Sequence, residues 1–314
     1  MNNTRRDFIK AGFALGAAFS MNDLGGLFAA QPTTTANLVS GPNGKPVLVA
    51  VRDGTRVAML ERALAALGGI ENFVKKGQTV VIKPNIGWDV PPERSANTHP
   101  DIVSRLVTLC LAAGAKEVSV FDHTCDVWAK CYVTSGIRAA VEKAGGKMVP
   151  GNDEKYYRET KIPGAVELKE AKVHSLILDS DVFINVPVLK HHGGATMTAC
   201  MKNLMGVIWD RQYWHRNNLH QCIADFARLR KPALNILDAY APMVRNGPRG
   251  RSEADVIFTK SLLAGTDIVA IDAAGSRLLG HEEDGIPHVK IANDSGLGSC
   301  KLDSLKIERI RLAA

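Results

Sequence analysis

Apolar residues come along this chain in two rhythms. Short apolar runs at 47–51, 79–82, 118–121, 182–188, 233–237, 261–264 and 305–312 read as strands, most of them buried. Between them, apolar positions recur every three or four residues. Val57, Leu60, Leu64 and Leu67 make one such face, and Ile102, Val103, Leu106, Val107 and Cys110 a second. The stretch 135–144 is a further helix. Leu219, Cys222, Ile223 and Phe226 mark another, and Ile268, Ile271, Gly275 and Leu278 a last one. Thr98, just ahead of Pro100 and Asp101, is the expected cap of the 100s helix, and Asp267 that of the last. Strand and helix alternate for most of the length. That pattern predicts an α/β fold with a mainly parallel sheet and helices on both faces. The more polar, less periodic stretch 152–173 predicts strand pieces and loops, a small inserted lobe.

Four of these runs end in polar groups. Lys83 and Asn85 follow the second, Asp122 and His123 the third, and Asp238 closes the run at 233–237. At 182–188, Pro187 marks the strand end, and Lys190, His191 and His192 come next in a loop with Gly193-Gly194. A segment with helical spacing then carries Lys202 and Asn203. Ligands of open α/β sheets bind beyond the carboxyl ends of the strands, so these groups are expected to share one cleft. Lys83, Lys190 and Lys202 there would attract a carboxylate or phosphate. The candidate catalytic residues are Lys190, His191, Lys202 and Asp122. The candidate substrate-binding residues are Lys83, Asn85, Thr98, Asn203, Asp238 and Gly247, the last in a turn-forming Gly-Pro loop. Lys190 or Lys202 is either a general base with a pKa lowered by desolvation or a charged anchor. His123 and His191 are candidate metal ligands, with Asp122 beside them; the alternative is that these histidines hydrogen-bond substrate or backbone. Adjacent residues of an extended chain point to opposite sides, so only one of His191 and His192 would reach a given metal. Asp272 falls on a buried face, must be paired there, and is expected to orient a neighbouring Lys or His. The Trp- and Arg-rich segment 209–216 is either a lid or a surface loop.

Composition narrows the partners. The 314 residues are 46% hydrophobic and 23% charged, enough apolar material for a full core. A net charge of +7 and a pI of about 9.1 favour anionic partners. Nucleic acid is not expected among them, because aromatics make up only 6% and no basic-aromatic run occurs. None of the six cysteines forms a CxxC pair. Cys125 and Cys131 would either bridge in an oxidising compartment or stay free. At the amino terminus, Thr4-Arg5-Arg6-Asp7-Phe8-Ile9-Lys10 looks like a twin-arginine export signal. The expected layout is therefore a signal peptide at 1–30, a flexible lead-in at 31–46 and one α/β domain at 47–314. The protein would be exported folded by the twin-arginine translocase to a periplasmic or other extracytoplasmic site. No membrane span is expected in the mature chain.

Several motifs together carry a family resemblance: IKPN at 82–85, NTHPDIV at 97–103, INVPVLKHH at 184–192, MKNLMG at 201–206, LNILDAY at 234–240 and NGPRG at 246–250. The chain resembles the domain-of-unknown-function family numbered 362 over roughly 47–298. That resemblance implies no settled reaction and no catalytic residues to carry over. Some members bear ferredoxin-like cysteine clusters and are described as iron–sulfur-associated. This chain has no clustered cysteines, so an intrinsic cluster is not expected and a redox partner protein would hold one. The resulting expectation is an exported enzyme, redox or metal-dependent, acting on a small anion. The competing expectations are a non-catalytic protein that binds an anion or metal complex, and an accessory subunit of an iron–sulfur partner.

Overall fold

The computed structural model of the chain describes residues 27–28 and 38–313. The twin-arginine motif and the cysteine-free stretch around it, 1–26, lie outside the described residues. Leu27, inside the stretch read as a label, is buried, and its carbonyl accepts the Arg309 Nε–H at 2.7 Å.

Twelve strands occur in chain order among the described residues: β1 (Leu48–Arg52), β2 (Thr79–Pro84), β3 (Glu117–Val120), β4 (Lys147–Met148), β5 (Tyr157–Lys161), β6 (Glu170–His174), β7 (Val182–Val186), β8 (Val188–His192), β9 (Thr196–Thr198), β10 (Leu234–Met243), β11 (Ser261–Gly265) and β12 (Ile307–Arg311). The helices are α1 (Arg56–Ala66), α2 (Pro100–Ala112), α3 (Trp128–Thr134), α4 (Ile137–Lys143), α5 (Ser175–Asp179), α6 (Cys200–Asn203), α7 (Arg211–Arg216), α8 (Leu219–Phe226), α9 (Ile268–Leu278) and α10 (Pro287–Asp294). The main sheet runs β12-β1-β11-β10-β7-β2-β3-β4. The pairs from β10 through β7, β2 and β3 to β4 are parallel, as is β1 with β12, while β11 is antiparallel to both its neighbours. This is the α/β class that the alternation predicts, with one reversed strand inside it.

Both faces of the sheet are covered. Along β1, Leu48 and Ala50 enter one core while Val49 and Val51 enter the other, as the two-residue side-chain period requires. Helices α8, α9 and α10 close the first core, and α1, α2 and α4 the second. The polar stretch forms a two-stranded antiparallel hairpin, β5 with β6. Buried Asp225 on α8 ties down its connecting loop, accepting the N–H groups of Val166, Glu167 and Leu168 at 3.0, 2.7 and 2.9 Å.

Local expectations are corrected at three places, and one helix is added. His99, not Thr98, caps α2, its Nδ1 accepting the Asp101 N–H at 3.3 Å. The helix read at 135–144 is α4, and Gly136, at a φ of +73° that few other residues adopt readily, separates it from α3, a helix the pattern did not mark. Pro187 interrupts a strand rather than ending it. On either side of it, β7 and β8 both run parallel to β10, and the Pro187 carbonyl accepts the Asp238 N–H at 2.9 Å. Lys190, His191 and His192 therefore lie on β8, not in a loop, and Gly193-Gly194 belong to the turn into β9. Finally, β10 continues to Met243, which leaves Asp238 in mid-strand.

Packing of α8 on α10 buries a histidine pair. His288 is fully buried and its Nδ1 lies 3.1 Å from the His220 Nδ1. Burial holds the His288 pKa down at about 3, with the His220 charge as a further cause. Below pH 6.5 the unfolded chain takes up a proton that the native His288 refuses until about pH 3, so stability falls as pH drops across that window. The slope is at most about 1.4 kcal/mol per pH unit for one group. Replacing His288 by Leu is expected to flatten this acid limb, which urea denaturation at pH 7 and pH 4.5 measures. An unchanged slope would place the titrating group elsewhere.

Candidate functional site

The parallel register of β2, β3 and β7 aligns Ile82 with Val120 and with Ile184, and Lys83 with Asn185. Their carboxyl ends consequently meet at one rim. There Lys83 is almost completely buried, its Nζ 2.8 Å from Asp122 Oδ1. This is a close ion contact without hydrogen-bond alignment, since Oδ1 finds no aligned donor among the described residues. Oδ2 accepts the Ile86 N–H at 2.6 Å. The Lys83 ammonium donates to the Pro84 carbonyl and to Asn203 Oδ1, both at 2.9 Å. Asn203 is held in turn by Asn85, whose Nδ2 donates to its Oδ1 at 3.0 Å, and it donates to Asn185 Oδ1 at 2.9 Å. Desolvation lowers the Lys83 pKa and outweighs the opposing pull of Asp122. With three acceptors around it, Lys83 is a charge already neutralised, the floor of the site rather than a free anchor.

Gly206 makes that floor possible. A Cβ at this position would stand 2.0 Å from Asp122 Oδ1 and 2.6 Å from Lys83 Nζ. Gly206→Ala is therefore expected to part the buried ion pair and destabilise the protein by about 2–4 kcal/mol. The denaturation midpoint reports it, and a shift below about 0.5 kcal/mol would show that the pair tolerates separation.

Above this floor is a cavity of about 360 Å³. Lys83, Asn85, Asp122, His123, Lys190, Lys202 and Asn203, all predicted from the sequence, line it together. Lys190 donates to Asn85 Oδ1 at 3.2 Å and to the Ala96 carbonyl, and has no carboxylate within ion-pair distance among the described residues. Burial lowers its pKa to about 7. Lys202 has the Met205 thioether at 3.1 Å as its acceptor, and burial lowers its pKa to about 8. Its position comes from Asp272 on α9, which accepts the N–H groups of Cys200 and Met201 at 2.6 and 3.0 Å and so anchors the start of α6. The expectation that Asp272 orients a Lys or His directly is thus corrected: it holds backbone amides. Burial raises the Asp272 pKa to about 7 despite those two hydrogen bonds.

Residues that the sequence pattern did not single out complete the wall. Arg211 at the start of α7 donates through Nη1 to the His123 carbonyl at 2.9 Å and through Nη2 to the Thr124 carbonyl at 2.5 Å. It too has no carboxylate partner among the described residues. The expected lid or loop at 209–216 is thus helix α7, pinned by Arg211 and walling the cavity through Arg211, Gln212 and His215. His192 lines the cavity with its Nδ1 accepting the Gly194 and Ala195 N–H groups at 3.1 and 3.0 Å. That places the ring proton on Nε2. Burial and the nearby Lys202 and Lys190 hold the His192 pKa down at about 2, so the ring is neutral. In His123, Nδ1 donates to the Ile208 carbonyl at 2.8 Å and the ring stacks on Trp209. Periodicity within β8 was the signal available for His192: it shares a strand face with Lys190.

Four predicted site residues are placed elsewhere. His191 faces away from the cavity by the same alternation, and its Nδ1 accepts the Gly247 N–H at 3.2 Å. Gly247 is packed so closely there that a Cβ would lie 1.8 Å from the His191 carbonyl oxygen; Pro248, not Gly247, lines the cavity. Thr98 joins strand ends, its Oγ1 accepting the Asn85 N–H at 2.8 Å and donating to the Val186 carbonyl at 2.6 Å. Asp238 faces α1, with Arg56 Nε at 3.3 Å. His123 and His191 therefore do not converge. No group of three or more His, Cys, Asp or Glu side chains is set to hold a metal ion among the described residues. Cys125 and Cys131 are both free thiols.

A second, larger recess of about 750 Å³ lies across Arg211 and His123, beneath the β5–β6 hairpin. Its lining sets Glu154, Glu159, Glu167, Glu170 and Asp210 against Lys169, Lys172 and Arg211, so acids outnumber bases there. The surplus of positive charge is in the smaller cavity, where Lys83, Lys190, Lys202 and Arg211 face one carboxylate, Asp122.

The sequence profile described as "Domain of unknown function (DUF362)" matches residues 80–277, which include β2, β3, β7, β8, α6 and β10. The chain belongs to this family. Among curated proteins, this DUF362 chain is similar to "Thylakoid-associated protein sll1697" of Synechocystis, with 29% identity over 260 residues, 78% of this chain and 76% of that one. Among solved structures it is similar to the lactate racemase apoprotein of Thermoanaerobacterium thermosaccharolyticum. That match has a TM-score of 0.42 and 12% identity and covers 73% of this chain and 56% of the other. A Thermotoga maritima protein of known structure matches with a TM-score of 0.38 and 13% identity, over 60% of this chain and 50% of that one. This DUF362 chain thus spans about half of the solved chains it matches. Among its described residues no helix is long and apolar enough to cross a membrane.

Proposed function

We propose that this DUF362 protein is an enzyme that binds a small organic anion in the cavity above the Lys83–Asp122 pair and moves a proton on it. The observation that carries this reading is the set Lys190, Lys202 and Arg211. Three cationic side chains line one cavity and none has a carboxylate partner among the described residues. Buried charges are normally paired, so a site that gathers several without counter-ions is built for an anion that arrives with the ligand. Lys202 and Arg211 are the anchors in this reading. Lys190 is the proton carrier, since a lysine pKa near 7 lets the neutral amine accept a proton at working pH. The Nε2–H of neutral His192 is a further donor for the ligand's oxygens. A volume of about 360 Å³ fits a metabolite-sized acid rather than a polymer.

The protein is proposed to work outside the cytoplasm after export by the twin-arginine translocase, a reading supported by Thr4–Lys10. A redox partner protein stays within the proposal only as a source of co-substrate. The test of the site is calorimetric titration with sulfate and small dicarboxylates, on the wild type and on Lys202→Met. Saturable binding weakened by the substitution supports the reading; no binding to either protein sinks it. Lys190→Met that still binds, though more weakly, but at saturation no longer exchanges substrate protons with deuterated water would identify the proton carrier.

A further inference from the structure

One group on the cavity wall has no part in the proposed proton chemistry. Cys125 lines the cavity with Lys190 and Lys202, and it is the exposed thiol among the described residues, the other cysteines being buried. Its backbone is fixed, because the Cys125 N–H donates to the Gly87 carbonyl at 2.8 Å. Arg211 Nη1 stands 3.2 Å from its sulfur, so the same guanidinium faces both the thiol and the space an anion would fill. Gly87 keeps the approach open: even a Cβ there would remain 3.8 Å from Cys125 Sγ. Lys202, more than nine-tenths buried and with only a thioether acceptor, supplies the independent sign that a ligand belongs beside this sulfur.

We infer that Cys125 is a ligand-directed nucleophile, covalently modified by small anionic electrophiles that the cavity first captures. The inference rests on the proposed anion site and narrows its ligand class to acids bearing an electrophilic carbon next to the carboxylate. In the simplest such reaction, with an α-halo acid, the sulfur forms a bond to the α-carbon while the carbon–halogen bond breaks. Halide leaves with its electron pair, and the thiol proton passes to solvent. No oxidant or reductant enters.

Iodoacetate and iodoacetamide separate capture from simple exposure, for they deliver nearly the same group with and without a charge. Trypsin cuts after Lys116 and Lys130, so Cys125 and Cys131 fall on different peptides and mass spectrometry reads each alone. In the native wild type, Cys125 is expected to react at least about tenfold faster with iodoacetate than with iodoacetamide, and sulfate is expected to slow iodoacetate selectively. In Lys202→Met the iodoacetate-to-iodoacetamide rate ratio should shrink several-fold, a ratio that cancels any change in the thiol itself, and a cooperative urea transition shows that the variant is folded. Cys125→Ser should carry no label at that peptide. Equal or reversed reagent rates at Cys125, with sulfate binding intact by calorimetry, would overturn the inference and leave the anion site standing. Loss of both sulfate binding and the preference would remove the site itself.

Discussion

Asp122→Ala is expected to lower the unfolding free energy by about 3–5 kcal/mol, the largest effect of any single change at this site. The reason is the partner it abandons. Lys83 is 1% exposed, and its ammonium has one carboxylate, at 2.8 Å. Without it, the charge keeps only the Pro84 carbonyl and the Asn203 amide oxygen, and the Ile86 N–H loses its acceptor as well. Removing both charges costs far less than removing one, because an apolar pair needs no counter-ion. A Lys83→Met/Asp122→Leu double variant should therefore recover most of the loss. Urea denaturation of the four proteins closes the cycle, provided the denaturant slope is unchanged. Additive single effects would mean that the two side chains do not depend on one another. The double variant should also retain the anion cavity's free cations, since Lys190, Lys202 and Arg211 have other supports.

Anion affinity is expected to fall by about two to three orders of magnitude between pH 6 and pH 9. Burial brings Lys190 to about 7 and Lys202 to about 8 in the free protein. At pH 6 both are ammonium ions, and an incoming anion finds their charge in place. At pH 9 both are mostly neutral, so binding must take up protons and the dissociation constant rises with pH. Arg211 sets the residual affinity. Sulfate is the suitable probe, because it does not itself titrate in this range. Lys190→Met and Lys202→Met should each weaken binding at pH 6 by about 10- to 100-fold, and each should remove part of the pH slope. A pH-independent constant would contradict the assignment of these lysines to the site. Stability of the ligand-free protein should move the other way. From about pH 7 to 10.5 the unfolded chain holds lysine protons that the native chain has released, so stability rises with pH there.

The two effects share one cause. A cavity whose cations have no internal counter-ions is costly to bury and waits for charge from outside. The Lys83–Asp122 pair below it shows the contrast, since there the charge is closed internally and the residue serves the fold. In the proposed reading the same residue type acts as structure at position 83 and as site at 190 and 202, and the difference is whether a carboxylate reaches it.

Hydrophobic period alone determined the class of fold here. Runs such as 79–82 and 182–188 read as buried strands from their length and flanking turn residues, and the spacing of Val57, Leu60 and Leu64 read as one face of a helix. Once those strands run parallel, their carboxyl ends must share a side, and so Lys83, Asp122 and Lys190 were placed together from order in the chain. The path of the chain beyond a strand end was not decided locally. Pro187 has the same sequence signature whether it stops a strand or interrupts one, and only pairing with β10 as far as Lys190, and with β9 through His192, carries the strand on. That pairing puts His191 on the side opposite Lys190 and brings His192 in. Arg211, Cys125 and His215 had no periodic signal, because each sits where a loop or short helix from another part of the chain folds over the rim. Charge cancellation is equally a property of space: whether a lysine is paired depends on which acid the fold brings within a few ångströms, and no spacing along the chain records that.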